Sequence, residues 1–246
     1  MASRWNVYRT PGKLSLSLRA GSGLRHREDT KYTLMKLKTA LLTAVTVLSA
    51  LSPFALGAMP PAEAWEIGPD IRGRNYSVGM PAQPTATREG GLSFEFPQRG
   101  EIDALTTSVG PLTGAREITL QYRIDAAPGA RFVSAETPDQ TATISLYIQQ
   151  DGDNWTAKGR YASYRWYVPA RAVVPLSPGT HKVRVRLDEV WTNVRGLPNT
   201  ADPQGYTSAL NETGRIGIAF GTSSARSHGV YTTGPARFTL LGLDIN

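Results

Sequence analysis

The chain has no cysteine among its 246 residues, so it has no disulfide to staple it and no thiolate to hold a metal or attack a substrate. Beyond residue 64 it is also poor in lysine, with only Lys158 and Lys182 against sixteen arginines, and in histidine, with only His181 and His228. Codon usage is the simplest cause of the arginine excess, although arginine also pairs with carboxylates and stacks on aromatic rings better than lysine does. The formal charge of +7 misleads, because residues 1–64 hold nine Lys/Arg against three Asp/Glu and residues 65–246 hold eighteen against seventeen. Nucleic-acid binding relies on a concentrated basic surface, and the body of the chain has none, so a nucleic-acid partner is not expected. Also missing after residue 64 are an apolar pattern at helical spacing, a glycine loop for phosphate, a zinc-ligand spacing and a nucleophile elbow.

What is present begins with a leader. Lys36 and Lys38 precede an apolar run over residues 39–56, and Ala62-Glu63-Ala64 puts small residues at −3 and −1 of a cleavage site before Trp65. Residues 35–64 therefore read as a signal peptide. Residues 1–34 read as a disordered extension from a mis-assigned start, with Met35 the initiator. The run is broken by Ser52-Pro53, which argues against a permanent membrane span. Export to a bacterial periplasm or medium fits a cysteine-free domain, with no membrane contact expected after cleavage.

Residues 65–246 form one expected domain, long enough for a single core. Short alternating segments recur between Gly, Pro, Asn and Asp clusters. In 116–125, Ile118, Leu120, Tyr122 and Ile124 alternate with Glu117, Thr119, Gln121 and Arg123. In 143–150, Ile144, Leu146 and Ile148 alternate with Ser145, Tyr147 and Gln149. Residues 91–97, 102–108, 160–168, 181–187, 215–221 and 236–245 show the same period, the last slipping at Leu241-Gly242 as a bulge would. Residues 126–140 and 188–211 lack a pattern and read as loops. Eight to ten strands with no helix predict an all-β, two-sheet antiparallel sandwich of jelly-roll type.

Residues 146–168 hold six of the twenty-one aromatic residues, and aromatics lie on both faces of their second half. Ala162, Tyr164, Trp166 and Val168 would feed the core. The opposite faces of several strands, if they share one sheet, would gather Arg123, Tyr147, Gln149, Tyr161, Arg165, Tyr167 and Arg184, with Gly217 and Ala219 leaving room above a neighbouring strand. Planar aromatics stack on the apolar faces of sugar rings, and Arg and Gln satisfy hydroxyls. Those seven residues are the expected ligand-binding set, for a poly- or oligosaccharide. Were loops to cover this face, the same aromatics would be a second buried layer, as in a structural or envelope-interaction protein.

The Trp65 opening, the aromatic hairpin and the closing ARFTLLGLDI strand resemble the jelly-roll carbohydrate-binding modules of secreted bacterial glycan-degrading systems. That resemblance implies glycan binding without catalysis. Two enzyme families are also echoed. Glu101-Ile102-Asp103-Ala104 resembles the start of the E-I-D-x-x-E strand of laminarinase-like glycoside hydrolases, but Leu105 and Thr106 stand where the second Glu belongs. Lys158-Gly159-Arg160-Tyr161 is similar to the K-x-G-x-Y core of alginate-type lyases, one residue short and without their Q-x-H strand. A lyase or hydrolase of an acidic polysaccharide is thus the alternative, with His228 in a loop near a strand end. Asp151-Gly152-Asp153-Asn154 has part of a calcium-loop spacing but lacks the closing Glu. It reads as a hairpin turn. No cofactor is expected, and structural calcium elsewhere has no assignable ligands. Arg72 to Ser77 reads as a loop that tucks the N-terminal strand against a sheet edge.

Overall fold

The structure is a computed structural model in which residues 59–246 are described. The expected extension and most of the expected signal peptide lie outside those residues. The described strands, in chain order, are β1 (Trp65–Gly68), β2 (Asp70–Ile71), β3 (Arg74–Asn75), β4 (Thr85–Ala86), β5 (Leu92–Glu95) and β6 (Ala104–Ser108). There follow β7 (Glu117–Ala126), β8 (Phe132–Ser134), β9 (Thr143–Gln150), β10 (Arg165–Tyr167), β11 (Val174–Pro175), β12 (Gly179–Arg186) and β13 (Thr192–Asn193). Helix α1 (Pro203–Asn211) precedes β14 (Thr213–Gly221), β15 (Val230–Thr232) and β16 (Ala236–Ile245).

Two antiparallel sheets face each other. One runs β1-β6-β14-β9-β10-β13, with β11 also on β9, and the other runs β12-β7-β16-β5-β4. Successive strands alternate between the two: β5, β6, β7 and β9 cross over in turn, and so do β12, β14 and β16. This is the jelly-roll sandwich expected from the strand count. The alternation in each strand decides its buried face. Ile144, Leu146, Ile148, Ile216, Ile218 and Phe220 of one sheet join Leu120, Tyr122, Ile124, Val183, Val185, Phe238 and Leu240 of the other in a shared core. Phe94 of β5 packs edge-on to Phe220 of β14 at 5.8 Å and stacks on Phe238 at 5.1 Å, tying the layers together. The bulge lies where the pattern slipped, between Leu240 and Gly242.

Three expectations are corrected. Residues 188–211 hold α1, whose Asp202 cap accepts the Gly205 N–H and whose first residue is Pro203. Its Tyr206 packs on Trp166 at 5.0 Å and donates its hydroxyl to the Leu187 carbonyl, so the helix closes one end of the sandwich. Its apolar stripe amounts to little more than Tyr206 and Ala209, too short to show as a period. Residues 126–140 contain β8, which pairs with β15. The run 160–168 is not one strand: Gly159–Ser163 is a turn of 3-10 helix, and only Arg165–Tyr167 joins the sheet.

Residues 59–64 pack on the sandwich. The Trp65 indole N–H donates to the Pro60 carbonyl at 3.1 Å, and the Thr107 hydroxyl donates to the Ala64 carbonyl at 3.0 Å. The segment from Arg72 to Ser77 forms the β2–β3 hairpin and then buries Ser77, whose hydroxyl donates to the Gly68 carbonyl and accepts the Asp103 N–H.

Candidate functional site

The seven expected ligand-binding residues do not share a sheet. Arg123 and Arg184 belong to β7 and β12 in the five-stranded sheet, while Tyr147, Gln149, Arg165 and Tyr167 belong to β9 and β10 in the other. Both stray arginines are exposed and paired, Arg123 with Asp125 and Arg184 with Glu117, each at 3.0 Å. Their face is a solvated one, and period 2 alone could not say which sheet a strand would join. Tyr161 sits in the 3-10 turn, where the Arg160 guanidinium stacks 5.0 Å from its ring.

The outer face of the seven-stranded sheet is partly covered, which corrects the open surface expected there. Tyr147 is 0% exposed. The room above Gly217 is taken, because a Cβ there would stand 2.3 Å from the Tyr147 ring. The Tyr147 hydroxyl shares a 2.8 Å hydrogen bond with Thr106, and the ring packs with Ala104, Tyr167 and Ala219 as a small second layer. Burial raises its phenol pKa, so it stays neutral. Tyr147 is a foundation rather than a contact surface, and buried Gln149 points the same way, donating to Asp153 at 3.0 Å.

Above this layer lies a groove of about 570 Å³. Its sheet-side residues are Arg165 and Tyr167, each 4% exposed, with Thr192 and Asn193 of β13 beside them. The rest of its lining comes from Trp155 and Ala157 of the β9–β10 connection, Ile71 and Tyr76 at the β2–β3 hairpin, and Ser223, Ser224, Arg226, Ser227 and His228 of the β14–β15 loop. Asp103, just before β6, lines the groove too, and the Ile102–Val230 bridge brings its segment beside that of His228.

The turn 151–154 aims the tryptophan. Asp153 accepts the Trp155 backbone N–H at 3.1 Å and the Gln149 side chain at 3.0 Å. Its Oδ2 also stands 2.8 Å from Arg165 Nε, a charge contact in which the N–H does not point along a hydrogen-bond line. The Arg165 guanidinium lies 4.0 Å from the centre of the Trp155 ring, and Tyr147 meets that ring edge-on at 6.1 Å. Trp155 itself is half-buried. The chain thus holds a large aromatic at the groove on a buried ion pair. The backbone is strained to do so. Trp155, Ala157 and Ser227 all have positive φ (64°, 52° and 59°) and all line the groove. Such conformations cost about 1–3 kcal/mol each and gather at functional sites.

The lining also carries an arginine and a carboxyl of opposite chemistry. Arg226 donates to the Val168 carbonyl and the Thr192 hydroxyl at 3.2 and 3.3 Å, with its guanidinium 5.4 Å from the Tyr167 ring. Asp103 is 7% exposed, and its Oδ1 has no hydrogen-bond partner among the described residues. Burial, reinforced by the charges of Glu101 and Glu136, pushes its carboxyl up to about 8, so it is mostly protonated at neutral pH. Burial also raises Glu101, against the pull of His228. Glu136 Oε2 contacts His228 Nδ1.

Of the expected set, the structure brings Arg165 and Tyr167 to the groove, Tyr147 and Gln149 beneath it, and Tyr161, Arg123 and Arg184 elsewhere. Absent from that set are Tyr76, Trp155, Arg226 and Asp103, the last noted in sequence only within the Glu101-Ile102-Asp103 motif. The clue for Asp103 was its place beside core-facing Ile102, which turns it to the outer face. Trp155, in a turn with no apolar neighbour, could have been suspected as a platform.

No family model matches this chain, and comparison with curated proteins finds no relative by sequence. Among solved structures, the chain is similar to a xylan-binding module, CBM15, at 13% identity and TM-score 0.38, over 76% of this chain and 96% of that one. It is similar to the xyloglucanase domain of NopAA from Sinorhizobium fredii, in complex with cellobiose, at 10% identity and TM-score 0.33, over 79% and 100%. A third likeness is Xylanase10C from Cellvibrio japonicus in complex with xylopentaose, at 11% identity and TM-score 0.31, over 74% and 28%.

Proposed function

We propose that this protein binds a poly- or oligosaccharide chain in the groove bounded by Tyr76, Trp155, Tyr167, Arg226 and Asp103. The observation that carries the reading is the built platform: Trp155 held at positive φ, seated on the Arg165–Asp153 pair and edged by Tyr147. A core tryptophan needs no such frame, since its own burial would hold it. A half-buried ring fixed in advance offers a flat apolar face at little entropic cost, which suits the C–H face of a sugar. Arg226 and Asp103, which line the same groove, supply donors and acceptors for hydroxyls. The groove's volume, about 570 Å³, is within the usual range of ligand sites.

Export completes the proposal, with cleavage before Trp65. Cleavage there would remove the Pro60 and Ala64 carbonyl partners described above, so the mature N-terminus, read by mass spectrometry from the native host, tests that part. The binding reading is tested by affinity electrophoresis of the full chain on neutral and acidic polysaccharides. Retardation by at least one polymer is expected, and none across the panel would overturn it.

A further inference from the structure

We propose that the part of the groove where the Asp103 and His228 segments meet is a hydrolytic centre, in which Asp103 gives a proton to a glycosidic oxygen of the bound chain and His228 takes one from the attacking water. This rests on the glycan-binding reading. Two segments meet there on opposite sides of a single bridge: Ile102 and Val230 exchange backbone hydrogen bonds at 3.0 Å, which places Asp103 one residue from the bridge and His228 two.

Each group has the setting its role requires. Asp103 is more than nine-tenths buried, lines the groove and has an oxygen with no hydrogen-bond partner among the described residues. A buried polar atom left open at a cleft is costly unless a ligand completes it. Its carboxyl is kept protonated by burial and by the negative charges of Glu101 and Glu136, the state a general acid must hold at working pH. His228 also lines the groove. Its Nδ1 contacts Glu136, which orients the ring and leaves Nε2 as the nitrogen free to take a proton in the proposed step. Glu101 closes on the backbone beside them, and only glycine permits this: a Cβ on Gly229, at φ 83°, would stand 2.3 Å from its carboxylate oxygen. The positive groups facing the same groove are already engaged. Arg165 is neutralised by Asp153, and Arg226 is hydrogen-bonded to Val168 and Thr192.

The step balances. The Asp103 proton passes to the leaving oxygen as its bond to the anomeric carbon breaks. The water oxygen bonds to that carbon, and its proton passes to His228 Nε2. One water is consumed, two chain ends form, and the proton returns from the imidazolium through solvent to the Asp103 carboxylate.

The test uses the full chain with arabinoxylan, xyloglucan, mixed-linkage β-glucan and polygalacturonate, scoring binding and reducing-end release on the same polymers. The wild type is expected to release ends from a polymer it binds. Asp103→Asn should lose at least about a hundred-fold in rate at saturating polymer, a loss that weaker binding alone cannot produce, and so should His228→Gln, whose site is exposed and bears little on folding. Glu101→Gln removes a charge that disfavours the ionised Asp103, so the alkaline limb of its pH–rate profile should move to lower pH. A polymer bound but not cut overturns the proposal and leaves the binding reading intact. So does unchanged cleavage by Asp103→Asn, or release of unsaturated uronate ends, which would signify elimination. Binding to no polymer overturns both.

Discussion

Asp103→Asn is expected to stabilise the protein, and the gain should grow with pH. In the folded chain the carboxyl is raised from an ordinary 3.8 to about 8 by burial and by the neighbouring charges of Glu101 and Glu136. Between those pH values the folded state holds a proton that the unfolded chain releases. Stability must therefore fall as pH rises through this window, and the loss is complete above the folded value. Each pK unit corresponds to about 1.36 kcal/mol, so the carboxyl costs about 4 kcal/mol by pH 7, a large share of the 5–15 kcal/mol typical of a whole domain. Asparagine keeps the shape and removes the charge. Urea unfolding of both proteins at intervals from pH 4 to 9, with unchanged m, measures the difference. It should be near zero at pH 4 and reach several kcal/mol in favour of asparagine at pH 8. A constant offset across the range, or a wild type that gains on the variant as pH rises, would refute the assignment of Asp103 as a buried, proton-holding group.

Other substitutions probe the frame. Arg165→Ala leaves Asp153 buried and unpaired beneath the groove and should destabilise by about 3–5 kcal/mol in the same assay. Gly217→Ala drives a methyl into the Tyr147 ring and should cost about 1–3 kcal/mol, with a shift in near-ultraviolet dichroism as the buried aromatic layer moves. Arg123→Ala and Arg184→Ala remove exposed ion pairs on the opposite sheet and should change stability by no more than about 0.5 kcal/mol and glycan affinity not at all. A loss of affinity in either would move the site to the other sheet, where Arg123 lines a second depression of about 530 Å³ with Asp125, Arg237 and Glu95.

Strand alternation made the sandwich legible, because Ile144, Leu146 and Ile148 or Ile118, Leu120 and Tyr122 have only one face that can be buried. The same period is silent on pairing. Nothing in Glu117, Thr119, Gln121 and Arg123 says that β7 lies between β12 and β16 rather than beside β9, so the expected face mixed two sheets. Alternation puts Tyr147 on the outer face, yet side chains from its own sheet, Ala104, Tyr167 and Ala219, with Trp155 and Val194 beside them, cover it. The site depends on loops. Tyr76, Asp103, Trp155 and Arg226 come from four separate connections, and only the fold brings them to one groove. The turn 151–154 shows how a local reading can be right and incomplete. It is a hairpin connection, as Asp-Gly and Asn imply, and its second Asp also anchors Arg165 and Trp155.

Trp155 is the most direct test of the central claim. Titration of a bound polysaccharide into the wild type, Trp155→Ala and Tyr161→Ala, followed by calorimetry, separates a groove platform from a bystander aromatic. Removing the apolar face that a sugar ring would cover should cost about 1.5–3 kcal/mol, ten-fold or more in affinity. Tyr161→Ala, outside the groove, should bind as the wild type does. Equal affinity of Trp155→Ala and wild type would contradict the assignment of this groove as the glycan site.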